Sequence, residues 1–368
     1  MNIVGDSKRV NLGVYYTPES VVPILHGMIK KHVDRFDEYV LLDTSCGDGI
    51  FFKGVSGYKA MIGADIDFDS LDLARASVKD CKFIRCDGLQ NVNRRNYDKR
   101  LEGSKLIVIS NPPYNDTTSQ VKSDIKERVF FCDSDLRCRD MGISFLRSYD
   151  KLSADYVCVL HPLSYLIKRS NFNLLKGFRE HYKLIDSLII PSSTFSHTSK
   201  ASCFPILIGL YKRDSSGMSY EDVCSMEFFT IEQEHFRIKD YVGISKFIPK
   251  YPNKRDSDTV TAFYPLRDIN ALKRSRTFMD VSTIGMVYAN ANLTPFYCYV
   301  DVFKRYIKRV PYYLCNLEVF IDYDYFVKIS DCFVYESSLH HPGLVNPPPV
   351  IPKDHKSKIE EYFNYLLK

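Results

Sequence analysis

Leu106-Ile107-Val108-Ile109-Ser110-Asn111-Pro112-Pro113-Tyr114 is the stretch on which the reading of this chain turns. Its apolar run, Leu106 to Ile109, reads as a buried strand. Two consecutive prolines cannot extend a central strand, so the strand stops before them. The tetrapeptide Asn111 to Tyr114 then sits at the carboxyl end of a strand, where open α/β sheets place their ligands. Proline has no N–H, so this rigid elbow presents carbonyl oxygens without competing donors. Asn111 adds a side-chain acceptor and Tyr114 a flat face. Two acceptors and an aromatic plate suit a planar ring bearing an exocyclic amino group. The chain also carries a control. Asn346-Pro347-Pro348-Pro349 begins with the same three residues, but it has no aromatic and follows His341-Pro342-Gly343 instead of an apolar strand. It reads as a turn or extended linker.

Upstream, Val40-Leu41-Leu42 leads into Asp43-Thr44-Ser45-Cys46-Gly47-Asp48-Gly49-Ile50-Phe51-Phe52. The order is strand, acid, glycine-containing turn, then an apolar run able to open a helix. Gly47 and Gly49 permit close backbone approach to a ligand and a positive φ. A second strand, Met61-Ile62-Gly63-Ala64-Asp65, ends in an acid about twenty residues after the glycines, the spacing of a ribose-hydroxyl acceptor in a nucleoside-binding βαβ unit. A third, Lys82 to Cys86, ends at Asp87, and the fourth ends at Asn111. Each acid alone is an ordinary cap or turn residue. Four polar residues at successive strand ends are what one nucleoside cleft requires.

This ordered set resembles the gamma-class N6-adenine DNA methyltransferases over roughly residues 11–212. Gly13-Val14-Tyr15-Tyr16-Thr17-Pro18 is similar to the motif that precedes the glycine turn in that class. The resemblance implies S-adenosylmethionine as cofactor, held by Tyr16, Thr17, Pro18, Asp43, Cys46, Gly47, Gly49, Asp65, Ile66, Asp87, Gly88 and Asn111. Within that set, Asp43 to Gly49 form the methionine-binding turn, Asp65 is the ribose acid and Asp87 reads the cofactor's adenine amino group. It implies Asn111, Pro112, Pro113 and Tyr114 as the catalytic motif, with Tyr114 and Phe195 stacking on the target base. His161-Pro162-Leu163-Ser164, after the apolar strand Tyr156 to Leu160, also follows the family pattern.

The implied chemistry is methylation of an amino nitrogen. Adenine's N6 lone pair is delocalised into the ring, and accepting its protons on Asn111 and the Pro112 carbonyl localises it. The protein's part is then positioning and electrostatics. A cytosine ring-carbon methyltransferase needs an attacking cysteine, usually in Pro-Cys, and no Pro-Cys occurs. A cytosine amino group poses the same chemical problem as adenine's, but the family more often places Ser before Pro-Pro for cytosine. A protein glutamine amide also presents an NH2 to such a motif. Enzymes of that kind place a helical domain before the glycine turn, whereas here the large extra region follows the sheet. Adenine in RNA is a third candidate. A specificity module built on a dead methyltransferase fold is the non-enzymatic alternative, and it predicts damaged motifs.

Composition sets the frame. The chain has 368 residues, 45% of them hydrophobic, which is enough for one large and one smaller core. A net charge of +5 permits nucleic-acid binding without demanding it. No apolar run reaches the length of a membrane span and Met1-Asn2-Ile3-Val4-Gly5-Asp6 is not a signal peptide, so a cytoplasmic, DNA-associated protein is expected. The 11 cysteines include no Cys-x-x-Cys pair, so reduced thiols and no metal are expected. His340-His341 reads as a surface pair near a turn.

Strand and helix patterns alternate from Val40 to Leu160, implying a mostly parallel sheet. Leu184 to Ile190 and Phe204 to Tyr211 read as two more strands, joined by a segment too short for a helical crossover and therefore antiparallel. Pro23 interrupts a helical pattern through Val22, Leu25 and Ile29. The charged stretch between Asn115 and Asp140, with Lys122, Lys126, Arg128, Arg137 and Arg139, fits a loop over the substrate cleft or a solvated insertion. Alternation stops near Lys212 to Gly217. Beyond it lie three basic clusters: Lys246, Lys250, Lys254 and Arg255; Lys273, Arg274 and Arg276; and Lys304, Arg305, Lys308 and Arg309. Tyr251, Tyr264, Tyr288, Tyr297 and Tyr306 interleave with them. Such stretches suit contacts to double-stranded DNA, and Lys254, Arg255, Lys273, Arg274 and Arg276 are the candidates. Residues 354–368 read as a terminal helix with Ile359, Tyr362, Phe363 and Leu366 on one face. The expected fold is α/β: a Rossmann-like class I methyltransferase sheet in residues 1–222 and a C-terminal DNA target-recognition domain in 223–368. A cognate restriction endonuclease is the functional partner this reading implies.

Overall fold

The computed structural model describes residues 17–114, 132–195 and 203–368. Residues 13–16, with Tyr16, and Lys122, Lys126 and Arg128 lie outside the described residues. The chain divides into two compact units after Phe236. The expected boundary after residue 222 falls short because a hairpin of β8 (Phe228–Phe229) and β9 (His235–Phe236) belongs to the first unit. It is tied there through Thr230, which bridges to Ile189, and through the Ile231 N–H, 2.9 Å from the Ile189 carbonyl.

The first unit is built on seven strands: β1 (Tyr39–Asp43), β2 (Ala60–Asp65), β3 (Lys82–Arg85), β4 (Lys105–Ser110), β5 (Tyr156–Pro162), β6 (Tyr182–Pro191) and β7 (Pro205–Arg213). Their spatial order is β3-β2-β1-β4-β5-β7-β6. Strands β1 to β5 pair in parallel, and β7 runs antiparallel to both β5 and β6. This is the Rossmann-like sheet of class I methyltransferases, as the motif order led us to expect. The apolar run of β4 is buried from Leu106 to Ser110 because the sheet is covered on both faces. On one side α1 (Val22–His32) brings Leu25, Met28 and Ile29 against Leu41, Ile107, Ile109, Cys158 and Leu160. Pro23 lies in the first turn of α1, where its missing N–H costs nothing. Among the described residues, the other long helices of this unit are α2 (Phe68–Ser77) and α3 (Met141–Lys151).

One local expectation differs. The apolar run after the glycine turn does not open an α-helix. It makes a single 3-10 turn, Ile50–Phe52, whose Phe51 and Phe52 are buried in the main core. Gly54 and Gly57, both with positive φ, follow at once and end any helical continuation.

The second unit holds a three-stranded sheet, β11-β10-β12, of β10 (Thr261–Phe263), β11 (Phe278–Met279) and β12 (Val287–Ala289). Three helices, α4 (Thr294–Tyr306), α5 (Tyr323–His340) and α6 (His355–Leu366), pack around buried Tyr299, Phe303, Phe326, Phe333, Tyr362 and Phe363. The expected terminal helix is α6, with Ile359, Tyr362 and Phe363 buried and Leu366 half-buried.

Candidate active site

The order of strands reverses between β1 and β4, and the crevice outside their carboxyl ends is where a doubly wound sheet takes its ligand. Asp43 ends β1 and Ser110 ends β4, so the chain delivers the glycine turn and the Asn-Pro-Pro-Tyr elbow side by side.

Gly47 and Gly49 both adopt positive φ, at 52° and 76°. A Cβ on Gly47 would meet nothing within 4 Å, so the turn leaves open space above it. The Gly47 N–H donates to Asp65 Oδ2 at 2.8 Å, and the Asp67 N–H donates to Asp65 Oδ1 at 2.9 Å. The acid at the end of β2 therefore fastens the glycine turn. Burial raises its pKa, and those two N–H groups oppose the rise. Ile66, next along, is 55% exposed, an apolar side chain left uncovered at a strand end. Asp87 accepts from the Leu89 N–H and the Gln90 amide, at 2.9 and 2.8 Å. Gly88 beside it is required by close packing: a Cβ there would lie 2.8 Å from the Thr44 carbonyl oxygen and 2.7 Å from the Phe145 ring. Cys46 is buried beneath the turn, its amide N–H 2.9 Å from the Ala64 carbonyl, and burial pushes its thiol up.

Asp43 is 1% exposed. Its Oδ1 accepts from the Ser45 N–H at 3.0 Å and from the Ser110 hydroxyl at 2.8 Å. Burial pushes its carboxyl up to about 7, those two donors oppose the rise, and nearby Asp65 adds to it. Ser45 Oγ and Ser110 Oγ are 3.0 Å apart. Tyr149 is fully buried beside Ser110 and Thr44. Its hydroxyl, like Thr44 Oγ1, closes no hydrogen bond of good geometry. Ser110 and Tyr149 were not anticipated as site residues. Ser110 reads only as a strand end, and Tyr149 only as one aromatic on an amphipathic helix.

At the elbow, the Asn111 amide N–H donates to Thr17 Oγ1 at 3.0 Å. That bond turns the amide so that Oδ1 points the other way, where it accepts from the Tyr114 hydroxyl. The same hydroxyl lies 2.9 Å from the Leu160 carbonyl on β5. Thr17, expected at the cofactor, thus also touches the Asn-Pro-Pro-Tyr elbow. Pro112 is buried, while Thr17, Pro18, Asn111, Pro113 and Tyr114 are partly exposed. Below them His161 is wholly buried. Its Nε2 lies 2.6 Å from the Tyr211 hydroxyl and its ring stacks on Tyr165. Burial lowers its pKa to about 4.

Phe195 is 4% exposed and packs in the main core with Leu25, Ile190 and Ile206. Its ring faces apolar side chains, so Tyr114 is the aromatic at the elbow itself. In the second unit, Lys254, Arg255, Arg274 and Arg276 are exposed and Lys273 is partly so. None of the five forms an ion pair among the described residues. The third basic cluster differs: Arg305 pairs with Glu336 and Asp301, and Arg309 with Glu360. Lys250 is likewise held by Glu318. Tyr297 is a core residue, fully buried, whereas Tyr251 is 66% exposed. His340 is exposed beside Glu336, but His341 is a partly buried partner of Asp301, 2.9 Å away. Among the described residues no cluster could hold a metal and no helix is long and apolar enough to cross a membrane.

No family model matches the chain, and no curated protein matches it significantly. Solved structures similar to it include a candidate class I S-adenosylmethionine-dependent methyltransferase of Listeria monocytogenes, at 16% identity and TM-score 0.42, covering 61% of this chain and 68% of that one. A candidate RNA methyltransferase of Pyrococcus horikoshii matches at 17% identity and TM-score 0.39, covering 56% and 90%. The methyltransferase subunit of a type I restriction-modification system of Streptococcus thermophilus matches at 13% identity and TM-score 0.40, covering 85% and 57%. Likenesses this distant carry no argument about substrate.

Proposed function

We propose that this chain transfers a methyl group from S-adenosylmethionine to the N6 amino group of an adenine flipped out of duplex DNA. The observation that carries the reading is the Asn111–Tyr114 elbow at the end of β4, beside the glycine turn of β1, with the Asn111 amide oriented by Thr17.

The crevice fits the cofactor. Gly47 leaves open space where a side chain would stand, Asp43 supplies a buried acid for an ammonium group, and Asp65 keeps lone pairs for ribose hydroxyls. Ile66 offers an apolar face, and Asp87 an acceptor, for the adenine. Bound there, S-adenosylmethionine supplies an electrophilic methyl group on a sulfonium. Asn111 Oδ1 and the Pro112 carbonyl accept the two amino protons of the target and raise electron density on its nitrogen. The Tyr114 hydroxyl holds that Asn111 acceptor in the free protein, so the incoming amino group takes its place. The freed ring then stacks on the base, which offsets part of the few kcal/mol that flipping costs. Exposed Lys254, Arg255, Lys273, Arg274 and Arg276 in the second unit serve as phosphate contacts. In this reading the chain is the modification partner of a restriction endonuclease.

Calorimetry with S-adenosylmethionine, followed by tritium transfer to unmethylated duplex DNA, tRNA and protein extract, tests the proposal. Label on N6-methyladenine in duplex DNA is the expected result. Label confined to tRNA or to glutamine side chains would replace the substrate, and no cofactor binding would end the reading.

A further inference from the structure

Asp43 and Asn111 stand at the ends of neighbouring strands, and one side chain reaches from the catalytic elbow's strand to the cofactor's acid. Ser110, fully buried and adjacent in sequence to Asn111, donates its hydroxyl to Asp43 Oδ1 at 2.8 Å and meets Ser45 Oγ at 3.0 Å. Both hydrogen bonds to Asp43 fall on Oδ1. The second oxygen is left for a cation. The groups facing this carboxyl are Asp65 from β2, Cys46 and Cys81, and the Tyr149 hydroxyl from α3. No positively charged side chain is among them. A buried carboxyl with no cation beside it holds its proton more tightly than one in water.

We propose that Ser110 is a positioning residue that sets the charge of Asp43, so that the cofactor's ammonium group binds by expelling a proton from Asp43 to solvent. The inference rests on the cofactor reading given above. The balance is simple: a neutral carboxyl and an ammonium ligand become a carboxylate–ammonium pair and one proton in the buffer. The raised carboxyl, at about 7, places this exchange near neutral pH. Because a cation favours ionised Asp43, affinity must fall as pH drops below that value, about tenfold per pH unit for one proton. The Ser110 hydroxyl favours the ionised form, so its loss must move the break to higher pH.

The test uses the full chain and two ligands, S-adenosylhomocysteine and 5′-methylthioadenosine. Both carry the adenine and ribose, so any contribution of Asp65 appears in both. Only the first carries the ammonium. The ligand's own amine has an ordinary pKa of about 8, so the acid limb, from about pH 5.5 to 7.5, is the informative range. Calorimetry should show S-adenosylhomocysteine weakening about tenfold per unit below neutrality, with release of about one proton in buffers of different ionisation enthalpy. Binding of 5′-methylthioadenosine should stay flat. In Ser110→Ala the break should shift upward, weakening the homocysteine ligand about threefold or more at pH 7, and Ser110→Thr should restore it. Should the alanine variant fail to fold, Ser110→Cys, a weaker donor, carries the same comparison. A flat profile for both ligands, or an unmoved break in a folded Ser110 variant, would overturn the inference while leaving the methyltransferase reading intact. Failure of both ligands to bind at any pH would overturn that reading as well.

Discussion

Asn-Pro-Pro occurs twice in this chain, and the two copies have different fates. The copy at 111–113 leaves a strand buried in the middle of a sheet, and a threonine and a tyrosine hold its asparagine. The copy at 346–348 lies between α5 and α6, with Asn346 and Pro347 exposed to solvent. Identical residues thus give a rigid set of acceptors in one place and a connector in the other. The difference lies in the strand that delivers the motif and in the groups around it. A rigid elbow is useful in catalysis only where neighbouring elements fix its acceptors before substrate arrives.

The largest expected effect breaks the comparison at its centre. Asn111→Ala should slow single-turnover methyl transfer by about a hundredfold, equivalent to roughly 3 kcal/mol, with cofactor affinity retained. Asn346→Ala should leave both unchanged. A double variant, Asn111→Ala with Pro349→Tyr, builds the full tetrapeptide at the second site and should recover no activity. Rapid-quench assays of the three proteins decide the matter.

A second test concerns the support beneath the first copy. His161 directly follows Leu160, whose carbonyl accepts from Tyr114, and it is buried in its neutral form. Its folded pKa of about 4 lies below the ordinary 6.5. Between these values the unfolded chain binds the proton and the folded chain does not, so stability falls as pH drops through that window and is flat above it. The shift corresponds to about 3 kcal/mol in all. Asp43, raised from 3.8 to about 7, acts in the opposite direction over much of the same range. The difference between wild type and His161→Gln isolates the histidine: urea unfolding at pH 4.5 and 7.5 should show the variant losing less stability on acidification.

Cofactor affinity should respond next. Asp65→Ala removes the anchor of the Gly47 N–H and, in the proposed cofactor site, the acceptor for ribose hydroxyls. A loss of about tenfold in affinity for S-adenosylmethionine is expected, with less effect on turnover at saturation. Unchanged affinity by calorimetry would remove Asp65 from the site.

The smallest effect belongs to the unit that carries the second copy. Replacing Lys273 and Arg274 together by Ala should weaken duplex binding a few-fold and reduce the slope of log affinity against log salt by about 1 to 2, since each lost phosphate contact releases fewer counterions. The paired Arg305 and Arg309 should behave differently. Breaking them takes the arginine from Glu336 and Asp301, which keep only histidine partners, and the arginine from Glu360, so the expected loss is in thermal stability.

What the sequence determined by itself was the order of the sheet's motifs. Apolar runs ending in Asp43, Asp65 and Asn111 mark strand ends because a buried parallel strand needs a nearly unbroken apolar run and stops where glycine, proline or an acid begins, and the shorter, half-exposed edge strand before Asp87 follows the same order. The antiparallel pair at the sheet's end was also legible, because the link between those strands is too short for a helix. The terminal helix showed in its periodicity. Tertiary structure alone decided which groups meet. Nothing local separates Arg274, which is open to solvent, from Arg305, which is bound by two carboxylates from α4 and α5. Phe195 reads as an aromatic before a strand, and only packing shows that its face is covered by the core. The helix expected after Gly49 is a single turn because two further glycines follow. Ser110 appears in sequence as the last residue of a strand. Its bond to Asp43 exists because parallel pairing sets β4 beside β1, which brings together side chains that lie 67 positions apart in the chain. Periodicity and spacing record what a segment buries, whereas the partners of a polar group are set by strand order and register, which no short stretch contains.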